Sequence, residues 1–329
     1  MISQNYLNKG GTMENINFDT SSTSKLDLKV GKAHKRSKIR QEEMIWGFIF
    51  VAPLTIGLLM FLAAPLIYSI YISLTKYDLF NEPIFVGFDN FSKIFSSYGR
   101  EFWISIRNAF MYSIGVFISM ALSLIVANFL CSKIKGKSFF KSIFFIPTIC
   151  SAVATTIMWK RMYDYQYGTL NQMISIFGVE HINWLDEQHV VFAIIFMGVL
   201  FGFGSSMLLY ISSIKSIPRS YYEAADIDGA NSVQKFFYIT IPSISPITFY
   251  ILVTGLIGSL QGFTVYQIMT NGSTTNTIMP VLLIYKYLGG DYGSFYGYAS
   301  ALAVILGIII AILTALNFIL SRKWVFYES

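Results

Sequence analysis

The chain has 329 residues, of which 54% are apolar, 17% aromatic and only 13% charged, and its mean hydropathy is +0.55. Soluble domains carry about 25% charged residues; half that share leaves too little polar surface to cover a globule of this size, and the apolar content excludes disorder of the whole chain. The net charge of +6 and the two cysteines add that neither an acidic solvating chain nor a disulfide-rich scaffold is present, so the composition is that of an integral membrane protein.

In chain order, residues 1–43 come first: a polar tail with eight Lys and Arg and no apolar h-region. The tail predicts a retained signal anchor after it, and residues 1–30 are expected to be disordered. Its basic residues have no interleaved aromatics, so they read as an orientation anchor and not as a nucleic-acid surface. Lys9-Gly10-Gly11-Thr12-Met13 is what a purine-rich ribosome-binding site encodes when read through in frame, so Met13 is the expected physiological start.

Six apolar stretches follow: Met44–Leu74, Ala109–Leu130, Ser142–Met158, Val190–Ile214, Ile244–Met269 and Ala299–Leu320. A hydrocarbon core about 30 Å thick needs ~20 apolar residues per helix, so each predicts a span. None alternates as barrel strands do. Counted on the two sides that six spans define, Lys and Arg divide 17 to 7 in favour of the side holding both termini. That asymmetry predicts cytoplasmic ends.

Within these limits there is no Asp, Glu, Lys, Arg or His, which argues against proton relays, ion-coupled sites and voltage sensors. The fifth span has Ser259, Gln261, Phe263, Thr264, Tyr266 and Gln267, and the fourth has a Gly-Phe-Gly-Ser-Ser run containing Ser205. Amides, hydroxyls and aromatic faces suit a neutral, polyhydroxylated solute. The alternative remains open that these groups bond neighbouring helices, and Gly258 and Gly262 have the small-xxx-small spacing of a packing face. Cys131–Ser138 lacks the glycine and the βαβ setting of a nucleotide loop. The three histidines (His34, His181, His189) stand apart with no nucleophile or paired acid, and no metal ligand set or catalytic group is found.

Between the fourth and fifth spans runs Ile217-Pro218-Arg219-Ser220-Tyr221-Tyr222-Glu223-Ala224-Ala225-Asp226-Ile227-Asp228-Gly229, ending at Ile239-Thr240-Ile241-Pro242. Ser216 can cap a helix, with Pro218 in its first turn. Gly229 permits a left-handed stop, Ser232 can start a second short helix, and Pro242 ends the unit. The prediction is a helix–turn–helix on the cytoplasmic surface.

Glu223-Ala224-Ala225, Gly229 and, nine residues on, Ile239-Thr240-Ile241-Pro242 resemble the EAA motif of binding-protein-dependent ABC importer permeases, with Ile241 in place of Leu. The likeness is strongest to the sugar branch, the larger subunit similar to those of maltose and glycerol-phosphate importers. Phe85-Val86-Gly87-Phe88-Asp89-Asn90-Phe91, Phe145-Ile146-Pro147, Trp159-Lys160, Asn183-Trp184-Leu185 and Gly297-Tyr298-Ala299-Ser300-Ala301 occur in its order. One departure is Phe263-Thr264 where the branch often has Phe-Asp.

The resemblance implies an all-α integral membrane fold of six transmembrane helices of the type I ABC importer permease kind, with both termini cytoplasmic. A permease domain at 44–329 would contain a coupling loop at 215–243. Glu223, Ala224, Ala225, Asp226, Asp228, Gly229, Ile239 and Pro242 would couple to an ATPase, while Gln261, Phe263, Thr264, Tyr266, Gln267 and Ser205 would line the substrate pathway. The implied partners are a second homologous permease chain, two ATPase subunits, an extracytoplasmic solute-binding protein received by loops 75–108, 159–189 and 270–298, a sugar or oligosaccharide, and the lipid bilayer of a bacterial cell. No cofactor is expected on this chain; ATP and Mg belong to the ATPase. Thr277–Leu288 is too short to span and predicts an interfacial or re-entrant helix. The alternatives are the same machine for glycerol phosphate or a polyamine, and a secondary transporter.

Overall fold

The computed structural model describes residues 44–132 and 135–326; the expectations for the 1–43 tail and for a start at Met13 lie outside them. Helix α1 (Met44–Ser73) widens at Leu59–Ala63, where the Ala64 N–H reaches back five residues to the Leu59 carbonyl. Pro65 explains the widening, because its ring lacks a donor and crowds the Phe61 carbonyl. The described residues up to Ile67 belong to one unit and those from Tyr68 onward to a second.

The second unit opens on a small antiparallel ribbon, β1 (Thr75–Lys76) with β2 (Ile84–Phe85), a minor addition to the expected all-α fold. Buried Asn90, on α2 (Asp89–Ile94), donates to the carbonyls of Ser73 at 2.9 Å and Thr75 at 2.8 Å. The chain crosses Thr75 again at Gly297, where a Cβ would stand 1.9 Å from the Thr75 oxygen, so only glycine lets the two backbones approach.

Helices α3 (Arg100–Tyr112) and α4 (Ile114–Cys131) continue one another across Ser113. The helix thus begins nine residues before the predicted Ala109. Phe102, Ile106 and Ala109 bury one face of α3, but Arg100, Glu101 and Arg107 interrupt the run, so hydropathy misses an amphipathic first half.

The third predicted span is not straight. Helices α5 (Lys137–Ile149) and α6 (Ala152–Met162) meet at 98°. Pro147 sits in the last turn of α5, and Cys150 and Ser151 are extended. Thirteen residues rise only about 20 Å, short of a bilayer core. Beyond α6, the short α7 (Thr169–Ser175) is organised by fully buried Asn171. Its amide donates to the carbonyls of Tyr165 and Ile182 and accepts from Ile182 N and Trp184 Nε1 at 2.9–3.1 Å.

Helix α8 (Val190–Ser216) runs unbroken for 27 residues. After it come α9 (Arg219–Ile227), α10 (Ser232–Ser243) and α11 (Ser245–Leu260), the last two meeting at 64°. The fifth predicted span, Ile244–Met269, therefore ends early. Gln261, Gly262 and Phe263 leave the helix, and α12 (Thr264–Met269) restarts it. At Gly262 a Cβ would lie 2.7 Å from the Tyr266 ring, so the break needs glycine. Helix α13 (Pro280–Tyr287) falls in the predicted Thr277–Leu288 segment, and α14 (Tyr296–Ser321) ends the described chain. By length and apolarity, four helices among the described residues can cross a membrane, and six crossings result if each bent pair counts as one.

Candidate functional site

Two features of the second unit combine sequence-predicted residues: the loop between α8 and α11, and a cavity among the long helices.

The loop is a rigid projection. Ser216 does not cap α9; its hydroxyl donates to Ser213 O at 2.8 Å, and Pro218 stands at the cap position instead. Helix α9 stops in a left-handed turn at Gly229, φ +77°. Asp228 N donates to Ala224 O, Gly229 N to Asp226 O and Ala230 N to Ala225 O at 2.9–3.2 Å, which satisfies the last carbonyls of the helix. Helix α10 starts at Ser232 as expected, and Asn231 is its cap. Asn231 Oδ1 accepts from Gln234 N at 2.9 Å, and Gln234 Oε1 accepts from Asn231 N at 2.8 Å. This reciprocal capping box defines the second helix.

The projection is braced from beneath. The hydroxyls of Tyr222 and Thr240 bond at 2.9 Å, and Lys235 pairs with Asp226. Ile217, Tyr222 and Ile239 pack with Met207, Tyr210 and Ile244. The outer face stays free: Glu223, Ala224, Asp226, Asp228 and Gly229 are exposed, and Ile227 is 88% exposed. Ala225 and Pro242 are half-buried. Pro242 lies two residues before the break at Ile244, so the direction changes slightly after the predicted end of the unit.

The cavity has a volume of about 640 Å³ and lies between α4, α8, α11 and α12. It is lined by glycines, hydroxyl side chains and aliphatic residues, with no ionisable carboxylate, ammonium, guanidinium or imidazole. Close helix contacts shape it. A Cβ on Gly255 would lie 2.4 Å from Val116 Cγ1, and one on Gly202 3.4 Å from Ser119 Oγ. Of the residues named for the substrate pathway, Ser205 and Tyr266 line this cavity.

Gln261, Phe263, Thr264 and Gln267 are not among the lining residues. They lie in or follow the break at 261–263, where the helix is interrupted. Phe263 stacks edge-on against Tyr285 at 5.2 Å, and Gln261 is exposed at the helix end. Ser259 follows the packing alternative, donating to Ala109 O on α3 at 2.9 Å.

The reading by spans missed Ser119, Tyr250, Thr254 and, above all, Tyr112. Tyr112 is 5% exposed, meets Tyr266 edge-on at 4.9 Å, and its hydroxyl has no hydrogen-bond partner among the described residues. A phenol in an apolar run was the available signal. Near it, Asn108 donates to the carbonyls of Thr275 and Ile278, while the Glu187 carboxylate accepts from Thr275 N and Asn276 N at 3.0–3.1 Å. The loop before α13 is therefore pinned to two other elements. A chamber of this kind can desolvate an uncharged solute and offer it hydroxyls; it supplies no group for acid–base chemistry.

The family described as "Binding-protein-dependent transport system inner membrane component" matches residues 134–325. The chain is 34% identical over 302 residues to a probable ABC transporter permease protein, YesP, of Bacillus subtilis, covering 90% of this chain and 97% of that one. It is 32% identical over 262 residues to the trehalose/maltose transport system permease protein MalF of Thermococcus litoralis, covering 78% and 88%. A crystal structure of a bacterial ABC transporter involved in the import of the acidic polysaccharide alginate superposes with a TM-score of 0.73 at 23% identity, over 88% of this chain and 99% of that one; this likeness concerns the fold.

Proposed function

The chain belongs to the binding-protein-dependent transport system inner membrane components, and from that membership we propose that it forms half of the translocation pathway of an ATP-driven importer for a sugar or oligosaccharide. It is a multi-pass transport subunit and not an enzyme. In this reading each bent helix pair completes one crossing, giving six, with both termini in the cytoplasm of a bacterial cell and the domain spanning 44–329.

The observation that carries the reading is the braced, outward-facing α9. Its exposed Glu223-Ala224 face, stopped by Gly229 and held by Tyr222 against Thr240, is a knob and not a slack loop. A slack loop would absorb the motion of an ATPase; a braced one passes it to α8 and α11, between which it is inserted. Glu223 offers a carboxylate to a basic group on the ATPase, Ala224 and Ala225 keep the knob narrow, and Gly229 aims it. Asp228 stands at the rim, as does Asp226, with part of its carboxylate engaged by Lys235. Ile239 and Pro242 form the root.

ATP and Mg act in two partner ATPases. Their closure turns this chain and a second permease chain outward, a solute-binding protein delivers its cargo, and hydrolysis resets the inward-facing state. The uncharged cavity supports a neutral polyol as cargo: glycerol phosphate would call for fixed positive charge and a polyamine for carboxylates, and the lining has neither. A secondary transporter would call for intramembrane charge.

The test is reconstitution of the full complex in proteoliposomes with its binding protein and a panel of labelled di- to tetrasaccharides. ATP-dependent uptake of one of them is the expected result. Uptake without ATP, or uptake only of phosphorylated or cationic solutes, would overturn the reading.

A further inference from the structure

A second concave site lies apart from the cavity and shares no lining residue with it. It has a volume of about 480 Å³ and is lined by Ser97, Tyr98, Arg100 and Glu101 at the start of α3, and by Tyr287, Tyr292 and Phe295 in the connection from α13 to α14. That volume lies within the ~300–1,000 Å³ of small-ligand sites.

The site is built before any ligand arrives. On one side, Gly99 brings the chain so close to Ile94 that a Cβ would stand 2.0 Å from its carbonyl oxygen, and Tyr98 N donates to Ser96 Oγ at 3.2 Å. On the other, Gly289 and Gly293 take positive φ values of 107° and 96°, and Gly289 N donates to Gly293 O at 3.0 Å. Tyr292 N donates to Lys286 O and Phe295 N to Tyr287 O. Lys286 pairs with Asp291 at 3.3 Å and lies 5.5 Å over the Tyr292 ring. Buried Tyr287 meets Tyr292 at 5.0 Å and Tyr298 at 4.9 Å, and Tyr98 meets Tyr298 at 5.4 Å.

On this fixed floor the rings of Tyr98, Tyr292 and Phe295 remain exposed, at 55%, 37% and 50%. Wet aromatic faces in a rigid concavity mark a binding surface. Burial and the neighbouring Glu101, to which the Tyr292 phenol is hydrogen-bonded, push that phenol up from its ordinary value, so the two side chains form one polar edge of the pocket.

The ligand chemistry follows from the walls. Arg100 and Glu101 set one positive and one negative charge side by side, which leaves no net charge to select an ion. The cation–π position over Tyr292 is already taken by Lys286. What remains is an aromatic platform with a carboxylate, a guanidinium and phenol hydroxyls at its edge. A pyranose or furanose ring offers the complementary pair, an apolar C–H face and a rim of hydroxyls. We propose that this pocket is a second carbohydrate site, which holds one ring of a neutral oligosaccharide at the extracytoplasmic mouth. The assignment rests on the sugar-importer reading and its orientation.

The experiment uses the reconstituted full complex. Phe295→Trp places a reporter in the pocket, and its emission is followed during titration with whichever trisaccharide the wild-type complex imports from a panel of maltotriose, arabinotriose and raffinose, without the binding protein. A saturable emission change is expected, weakened at least tenfold by Tyr292→Ala or Glu101→Gln and retained in Tyr292→Phe. In import assays the first two variants should raise KM and leave kcat unchanged, and this second readout stands if the reporter impairs the complex. Import at wild-type KM in both variants, or an equal emission change produced by choline in place of the trisaccharide, would overturn the proposal. Absence of any ATP-driven glycan uptake would instead overturn the sugar-importer reading itself.

Discussion

Replacing Gly229 by asparagine, alanine and valine grades the strain in the turn that aims α9. The residue sits at φ +77°, and a Cβ there would meet nothing within 4 Å. No steric collision confuses the experiment, and the whole cost is backbone conformation. An L-residue in this region costs roughly 1–2 kcal/mol, least for asparagine and most for a β-branched residue. The turn either bears that strain or releases it by losing bonds such as Ala230 N to Ala225 O at 2.9 Å, each worth about 0.5–1.5 kcal/mol. Either way the balance between an ordered and a loosened knob moves by roughly 1–2 kcal/mol, a factor of about 5–30 in population.

The assay is the ratio of solute imported to ATP hydrolysed in proteoliposomes, with purified-complex yield as a control. The expected order is glycine, asparagine, alanine, valine, with yield unchanged because the position is exposed. A valine variant with wild-type coupling would refute the idea that a fixed turn aims the helix. So would a fall in yield with the ratio intact.

Glu223→Lys reverses the charge on the exposed face of α9, and membrane insertion should persist while import and stimulated ATPase fall together; normal values of both would remove Glu223 from the interface. Gly255→Ala drives a methyl to 2.4 Å from Val116 Cγ1, and overpacking of this kind costs about 1–3 kcal/mol; thermal unfolding in detergent should drop and recover in the Gly255→Ala/Val116→Ala double variant. Asn171→Ala leaves the part-buried carbonyls of Tyr165 and Ile182 and the Trp184 indole N–H without their partner, at up to about 1 kcal/mol per lost bond; proteolysis within 163–185 should quicken, and unchanged cleavage would refute the role of Asn171 as the organiser of that loop.

Composition and local pattern were enough for the class of the molecule. The apolar stretches appear as helices because a bilayer-length apolar run has few other ways to satisfy its backbone. The helix–turn–helix at 219–243 was legible too, since Gly229 and the Asn231–Gln234 pair act within a few residues of themselves and the second helix starts at Ser232. Apolar runs cannot report where they bend. The 98° corner between α5 and α6 needed the extended pair Cys150-Ser151 after Pro147, and proline alone predicts a boundary without an angle. The break at 261–263 depends on Gly262 lying against the Tyr266 ring.

Of these two bends only the break at 261–263 adjoins the cavity; α5 and α6 contribute no lining residue. Ser205 on α8 and Tyr266 on α12 face the cavity, whereas Gln261, Phe263, Thr264 and Gln267, named for their amides, hydroxyl and aromatic face, are not among its lining residues. Sequence by itself determined that this is a polytopic, uncharged-core membrane subunit with an exposed Glu-Ala-Ala helix, since burial preference and helix capping are local. Which polar side chains converge on one space was decided only by the tertiary structure. That convergence joins residues more than a hundred positions apart, such as Tyr112 and Tyr266, through crossing angles that no local pattern encodes.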